Sequence, residues 1–319
     1  MYLGIDIGGT NLKAGLVTED GRLLAAKKCP LAPNCSADGL VAALGQLALA
    51  LLAENGVAAG AVEAVGMGVP GAVDNARGRV LFTCNVPMTG LAVAEAFRRY
   101  VPAPLYLGND ADCAALGEYH AGAGRGCESL LVVTLGTGVG AGLVLGGRLY
   151  TGFSHTAGEV GHIVVEPGGE LCSCGRRGCW ERYASATALV RAACEAMQHR
   201  RDSLLWTLCG WDEAKIDGRT VFAAAEAGDE AALAVCARYV DYLARGVIDL
   251  VNILQPEVLV LGGGVGGAPD ALLFDPLRER VARENYNAGA HLPCTRIVRA
   301  QLGNDAGIIG AALLCRSVG

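Results

Sequence analysis

The sequence predicts a two-domain α/β protein, and three observations carry that expectation. The chain has 319 residues, a length that suits about two domains of roughly 150 residues each. An apolar strand running into a glycine turn, followed by a second strand and a hairpin, occurs twice, once at IDIGGT (5–10) and again at VTLGTG (133–138). Short apolar runs alternate with helical patterns and no low-complexity linker interrupts them, so the two domains are expected to meet along a continuous interface.

The elements follow in order. YLGIDIGG (2–9) reads as a strand entering a glycine turn, and LKAGLVTEDGRLLAAKKC (12–29) as two strands with Asp20-Gly21 as the turn signal. A helix is expected over 37–55. VEAVGMGVPGAVD (62–74) reads as a strand ending in a loop, LAVAEAFRRY (91–100) as an amphipathic helix, and 104–124 as a strand, a polar tip and a helix. Residues 129–152 repeat the N-terminal layout, with a hairpin at Gly146-Gly147. Apolar residues at 240, 243, 247, 250, 251 and 254 predict a helix over 235–255, ended by Pro256. EVLVLGGGVGG (257–267) is a buried strand delivering glycines, and 303–315 a loop and closing helix.

Composition narrows the function classes. The chain is 52% hydrophobic and 18% charged, enough to bury a large core. Its net charge of −6, with no run of Lys or Arg, argues against a nucleic-acid partner. The opening MYLGIDIGG lacks a signal-peptide pattern, and the apolar run from Leu40 to Ala53 is short for a bilayer span and interrupted by Gln46, so no membrane partner is expected. The thirteen cysteines are then expected to be reduced, in a cytoplasmic protein. Most are scattered singly, as Cys84 and Cys113 are among small or apolar neighbours, and read as small buried hydrophobes.

Forty-six glycines far exceed the usual ~7%, and they cluster. In Asp6-Ile7-Gly8-Gly9-Thr10, glycines let backbone N–H groups face an anion, and Asp6 at the strand tip is placed to hold a magnesium ion. Thr134-Leu135-Gly136-Thr137-Gly138 and Gly262-Gly263-Gly264 repeat the pattern, which points to nucleotide phosphates. No GxxxxGK[ST] is present, and LGTGVGAG continues as a strand rather than a helix, so neither a P-loop nor a dinucleotide fingerprint is read.

Gly108-Asn109-Asp110 sits at a strand end before a helix. Asp110 there serves equally as a general base for a hydroxyl or as a helix cap. In His155-Thr156-Ala157-Gly158-Glu159-Val160-Gly161-His162, Glu159 and His162 are three apart, a spacing that lets a carboxylate and an imidazole hold vicinal hydroxyls. LCSCGRRGCWER (171–182) puts Cys172, Cys174 and Cys179 within eight positions, and His162, ten residues upstream, completes a Cys₃His set suited to tetrahedral zinc with no open position. The CxC spacing departs from the commoner CxxC. A redox pair of Cys172 with Cys174, or chance in a cysteine-rich chain, stands beside the zinc reading.

Taken together, DIGGTNLKAGLV, GVPGAVD, NDADCAALGE, VTLGTGVGAGLVLGGRLYTG, HTAGEVGH, CSCGRRGCWE and VLGGGV occur in the order seen in the ROK family of sugar kinases and related repressors, which this chain resembles from residue 3 to about 312. The resemblance implies an actin/hexokinase-like, ribonuclease H-like α/β fold with an interdomain cleft. It implies a small domain over 1–116, joined by a C-terminal helix at about 305–319, and a large domain over 117–304. Activity would be ATP-dependent phosphorylation of a hexose at its 6-hydroxyl, glucose foremost. By position, Asp110 would be the base. Gly71, Asn85, Asn109, Glu159, His162 and Glu181 would bind sugar, and His162, Cys172, Cys174 and Cys179 a structural zinc. Asp6 would lie near magnesium, and Gly8, Gly9, Thr10, Lys13, Thr134, Gly136, Thr137, Gly138, Gly262, Gly263 and Gly264 around ATP. The family suggests a homodimer or homotetramer.

Gly108 and Asp112 replace the Glu and Asn of many glucose-type members. Asn85-Val86-Pro87-Met88-Thr89 is reminiscent of allose-type kinases, so allose, mannose, fructose or an N-acetylhexosamine stand as alternative sugars. Family repressors carry a DNA-binding segment ahead of this region, for which a DIGGT starting at residue 6 is expected to leave no room.

Overall fold

The structure, a computed structural model, describes residues 1–83, 85–290 and 292–317. Cys84 therefore lies outside the described residues, as do Val318 and Gly319 of the expected C-terminal helix. The chain divides into two compact units, one of Met1–Val132, Gly142–Gly158 and Ala300–Gly319, the other of Val133–Ala141 and Glu159–Arg299.

The first unit opens with β1 (Tyr2–Ile7), β2 (Asn11–Val17), β3 (Leu23–Pro30), α1 (Ala37–Glu54) and β4 (Ala64–Val69). It continues through β5 (Gly71–Asp74), β6 (Arg79–Thr83), α2 (Val93–Phe97), β7 (Leu105–Asn109) and α3 (Asp110–Ala121). Its sheet runs β3-β2-β1-β4-β7, with β1 antiparallel to β2 and parallel to β4. That order places the ends of β1 and β7, with Asp6 and Asn109, along one edge of the sheet. The stretch after β4, read as a loop, is instead β5, which pairs with β6 as a two-stranded sheet. The alternation there is too short to see, and pairing with the next strand decides it.

α1 is 18 residues long and by length and composition alone qualifies as a bilayer span. Its Leu40, Leu44, Leu47, Ala48, Leu51 and Leu52 instead sit in the first unit's core with Leu3, Ile5 and Val65. Ser36 caps its N-terminus by accepting from the Gly39 N–H.

β8 (Leu130–Leu135), β9 (Val139–Leu145) and β10 (Arg148–Leu149) follow, then α4 (Glu181–Ala184), α5 (Ala186–His199), α6 (Leu204–Leu208), α7 (Gly218–Glu226) and α8 (Glu230–Leu254). The chain ends through β11 (Val258–Gly262), α9 (Phe274–Glu284), β12 (Arg296–Arg299) and α10 (Ala306–Ala312). A second sheet runs β10-β9-β8-β11-β12. α8 begins five residues before the expected start because the Asp229 carboxylate caps it at the Ala232 N–H. It ends as expected, with Gln255 left-handed at φ 46° before Pro256.

The expected domain boundary at residue 116 falls inside α3, which the first unit keeps whole. The physical reason is how closely α10 packs. A Cβ on Gly310 would lie 1.6 Å from the Cys113 carbonyl oxygen, and one on Gly66 1.6 Å from that of Ala311, so only glycine admits this approach to α3 and β4. Glu118, 1% exposed, ties α3 to the same return of the chain. Its carboxylate accepts from the N–H groups of Ala123 (2.8 Å), Gln301 (2.9 Å) and Leu302 (2.8 Å).

His120, near the end of α3, is partly buried, with Nε2 3.3 Å from the Ser317 hydroxyl. Burial, helped by Arg316, pushes its pKa down from 6.5 to about 4. The folded imidazole stays neutral where the unfolded chain binds a proton. Its stabilising contribution is therefore complete above pH 6.5 and is lost as the pH falls toward 4. Denaturant midpoints followed across that window should drop for the wild type and drop less for His120→Gln. Equal slopes for the two proteins would contradict this account.

Candidate active site

The sequence-predicted residues fall into two groups, one in each unit. In the first unit Asp6 is the penultimate residue of β1, and its carboxylate accepts from Lys13 Nζ at 3.2 Å, directly across the strand pair. Lys13 also donates to the Asn304 carbonyl at 3.3 Å, just before α10. The turn between β1 and β2 is closed by Gly8 N–H to the Asn11 carbonyl (3.0 Å), while Gly9 and Thr10 are exposed at its tip. Its backbone there is accessible to an anion.

Asn109 is both the last residue of β7 and the N-cap of α3. Its side-chain oxygen accepts from the N–H groups of Ala111 (2.8 Å) and Asp112 (3.4 Å), and its Nδ2 donates to the Gly71 carbonyl at 3.1 Å. Capping belongs to Asn109, although an Asp110 oxygen also accepts from the Ala111 N–H at 2.9 Å. Asp110 is the first residue of α3, exposed, where the helix N-terminus favours its anionic form. Asn85 is exposed in the loop that Thr83 and Thr89 brace through the 3.0 Å bond from Thr83 N–H to the Thr89 hydroxyl.

Sequence reasoning missed Asn75. Its side chain accepts from the Leu107 N–H at 2.7 Å and holds β7 two residues before the cap. Nothing local marks it, since the contact spans 32 positions.

In the second unit the two remaining glycine turns lie side by side. Val265 N–H donates to the Leu135 carbonyl at 3.3 Å, which brings the segment after Gly262, Gly263 and Gly264 against the start of the Gly136-Thr137-Gly138 turn. Thr134 braces that turn by donating to the Gly140 carbonyl at 3.3 Å. The segment 181–187 then clasps it at three points. Glu181 accepts from the Val139 N–H (3.1 Å), Ala186 N–H donates to the Gly136 carbonyl (2.8 Å), and the Thr187 hydroxyl donates to the Thr137 carbonyl (2.9 Å). Gly138 leaves room for this carboxylate, since a Cβ there would lie 2.2 Å from the Glu181 Oε2 and the side chain would have to shift. Thr187 was not foreseen either, since nothing in its neighbourhood signals a partner 50 positions away.

His162, Cys172, Cys174 and Cys179 converge, their donor atoms all within 4.8 Å of one another. The closest pairs are His162 Nδ1 with Cys172 Sγ and Cys174 Sγ with Cys179 Sγ, each at 3.6 Å. Bond lengths of ~2.0–2.3 Å around a tetrahedral metal give donor–donor edges of about 3.3–3.8 Å, so the donor chemistry and the two closest pairs fit a four-coordinate site. Backbone bonds already fold the loop, among them Cys172 N–H to the Arg176 carbonyl and Trp180 N–H to the Ile163 carbonyl, both 2.8 Å. Cys174 is exposed, and the Arg176 N–H holds its thiol below the usual range, whereas burial pushes Cys179 up to about 12. With Nδ1 facing the thiols, His162 turns Nε2 to Glu159, 3.9 Å away. Trp180, fully buried, anchors the loop by donating from Nε1 to the Tyr242 carbonyl of α8 at 2.9 Å.

The ROK family model matches residues 2–318. A glucokinase of Thermotoga maritima is 38% identical over 315 residues, spanning 98% of this chain and 96% of that protein. A glucokinase of Streptomyces coelicolor is 35% identical over 99% of this chain and 98% of its own. Among solved structures, a ROK family glucokinase from Streptomyces griseus in complex with glucose and AMPPNP superposes with a TM-score of 0.83 at 37% identity, covering 99% of both chains.

Titrated with cobalt(II) under reducing conditions, the protein should bind one equivalent with the spectrum of a tetrahedral thiolate site. Cys174→Ala should lower that affinity by at least about tenfold. Saturation by the variant at wild-type concentrations would remove Cys174 from the ligand set.

Proposed function

This chain belongs to the ROK family, and we infer that it is an ATP-dependent hexose kinase that phosphorylates the 6-hydroxyl of glucose. What carries this reading is likeness to glucokinases along nearly their whole length, together with the exposed Asp110 carboxylate set at the head of α3.

In the proposed mechanism Asp110 accepts the proton of the attacking 6-hydroxyl. Phosphoryl transfer passes through a loose transition state, so placing the nucleophile matters more than making the base strong. This suits a carboxylate whose position is set by the helix cap beside it. Gly71, Asn85, Asn109, Glu159, His162 and Glu181 are assigned to the sugar hydroxyls. A carboxylate offers about four acceptor positions, so Glu181 can bind a hydroxyl while keeping the Val139 N–H. The backbone at Gly8, Gly9 and Thr10, with Lys13, and at Thr134, Gly136, Thr137 and Gly138, with the turn at Gly262, Gly263 and Gly264, is assigned to the phosphates and the rest of ATP. Magnesium, assigned near Asp6, supplies charge neutralisation at the phosphates when bound.

His162, Cys172, Cys174 and Cys179 are assigned a zinc ion whose part is structural, since four protein ligands leave no position for substrate. The exposed residues Ile253, Tyr286 and Leu292 offer apolar surface that association into a homodimer or homotetramer would cover. A reduced, ATP-containing cytoplasm suits both the thiols and the reaction.

Asp110→Asn tests the central role. It keeps the side chain's size and leaves the Asn109 cap in place, and it should lower kcat with glucose by about 10²–10⁴-fold with a smaller change in KM. ADP release measured with glucose, allose, mannose, fructose and the N-acetylhexosamines should be fastest for glucose. Turnover by Asp110→Asn near the wild-type rate, or a stronger preference for another sugar, would overturn the corresponding part.

A further inference from the structure

The two carboxylate oxygens of Glu181 face different structures. Oε2 accepts from the Val139 N–H at 3.1 Å, at the end of the Gly136-Thr137-Gly138 turn. Oε1 lies 4.0 Å from the Sγ of Cys172, one of the four converging ligands. Glu181 follows the ligand Cys179 by two residues, and the intervening Trp180 is wholly buried against α8. A second bond, from the Tyr239 hydroxyl to the Ala184 carbonyl at 2.6 Å, fixes the far end of α4 to the same helix. Ala186 and Thr187 then add their own bonds to the turn. One short rigid segment thus begins at a metal ligand and ends on the glycine turn.

We propose that Glu181 is a positioning residue that ties the Cys/His cluster to the Gly136–Val139 turn, so that metal in the cluster sets the affinity of that turn for nucleotide phosphates. This rests on the assignment of the turn to ATP. A free Val139 N–H and an unbraced turn sample more conformations, and ordering them on binding costs affinity. Metal loading would fix Cys179 and with it the start of the segment, although none of the four metal ligands is assigned to nucleotide. The cluster therefore acts on both substrates, through His162 on the sugar side and through Glu181 on the phosphate side.

The experiment measures binding of a non-hydrolysable ATP analogue with magnesium, without sugar, alongside amide exchange at Val139. Wild type, Glu181→Ala, Glu181→Gln and Thr187→Val are compared with zinc content verified. Wild type and Glu181→Ala are also compared after zinc withdrawal. Glu181→Ala should weaken nucleotide binding by roughly tenfold and speed Val139 exchange. Glu181→Gln, which keeps an acceptor oxygen, should recover most of both, and Thr187→Val should lose a smaller factor. Zinc withdrawal should weaken wild type but add little to Glu181→Ala, because both changes release one element. Unchanged nucleotide affinity and Val139 protection in zinc-loaded Glu181→Ala would overturn the proposal, as would fully additive losses. If wild type binds no nucleotide at all, the kinase reading fails instead. Val139 exchange, with and without zinc and Glu181, then decides the linkage alone.

Discussion

The side-chain amide of Asn109 is the interaction on which the functional edge of the first unit depends. A strand that turns straight into a helix leaves the helix's first N–H groups without partners. Asn109 accepts two of them and donates its own amide hydrogen to the Gly71 carbonyl, so one side chain joins β7, α3 and β5. Asp110, beside that cap, adds one bond of its own by accepting from the Ala111 N–H. Its carboxylate stands at the helix head, in the field of the N-terminus, on backbone that the Asn109 cap fixes. Asn75, which follows β5 and accepts from the Leu107 N–H of β7, and Glu118 within α3 secure the same junction from either side.

The second unit solves the corresponding problem with less regular structure. Its glycine turn between β8 and β9 has no helix to follow it, and the braces come from the segment just past the cysteine loop. Three hydrogen bonds from residues 181–187 replace what a helix N-terminus would supply. Those residues are held by the Trp180 bond to Tyr242 and the Tyr239 bond to Ala184, both tying them to α8, the longest helix among the described residues. The cysteine loop, the turn and α8 thus form a connected scaffold that includes the four converging donor atoms.

Much of this was legible in the sequence because each feature is local. Glycine turns at strand ends, the Asn109-Asp110 tip, and the Cys172, Cys174 and Cys179 spacing announce themselves within a few residues. His162 lies close enough to be added by chemistry alone, and the structure brings all four donors together. What escaped was set by distance along the chain. Glu118 meets Gln301 across 183 positions, and Thr187 meets Thr137 across 50. β5 escaped for another reason, being four residues long and too short to show an alternation before it pairs with β6. The start of α8 was misplaced because its first turns are rich in alanine, which blurs the apolar period that marked the rest.

The account comes down to which bond is made. Purified protein incubated with glucose, ATP and magnesium can be followed by phosphorus NMR until the nucleotide is consumed. The account predicts one glucose 6-phosphate for each ADP and no ADP without sugar. ADP formed at the same rate in the absence of glucose, or phosphate carried on a different hydroxyl, would contradict it.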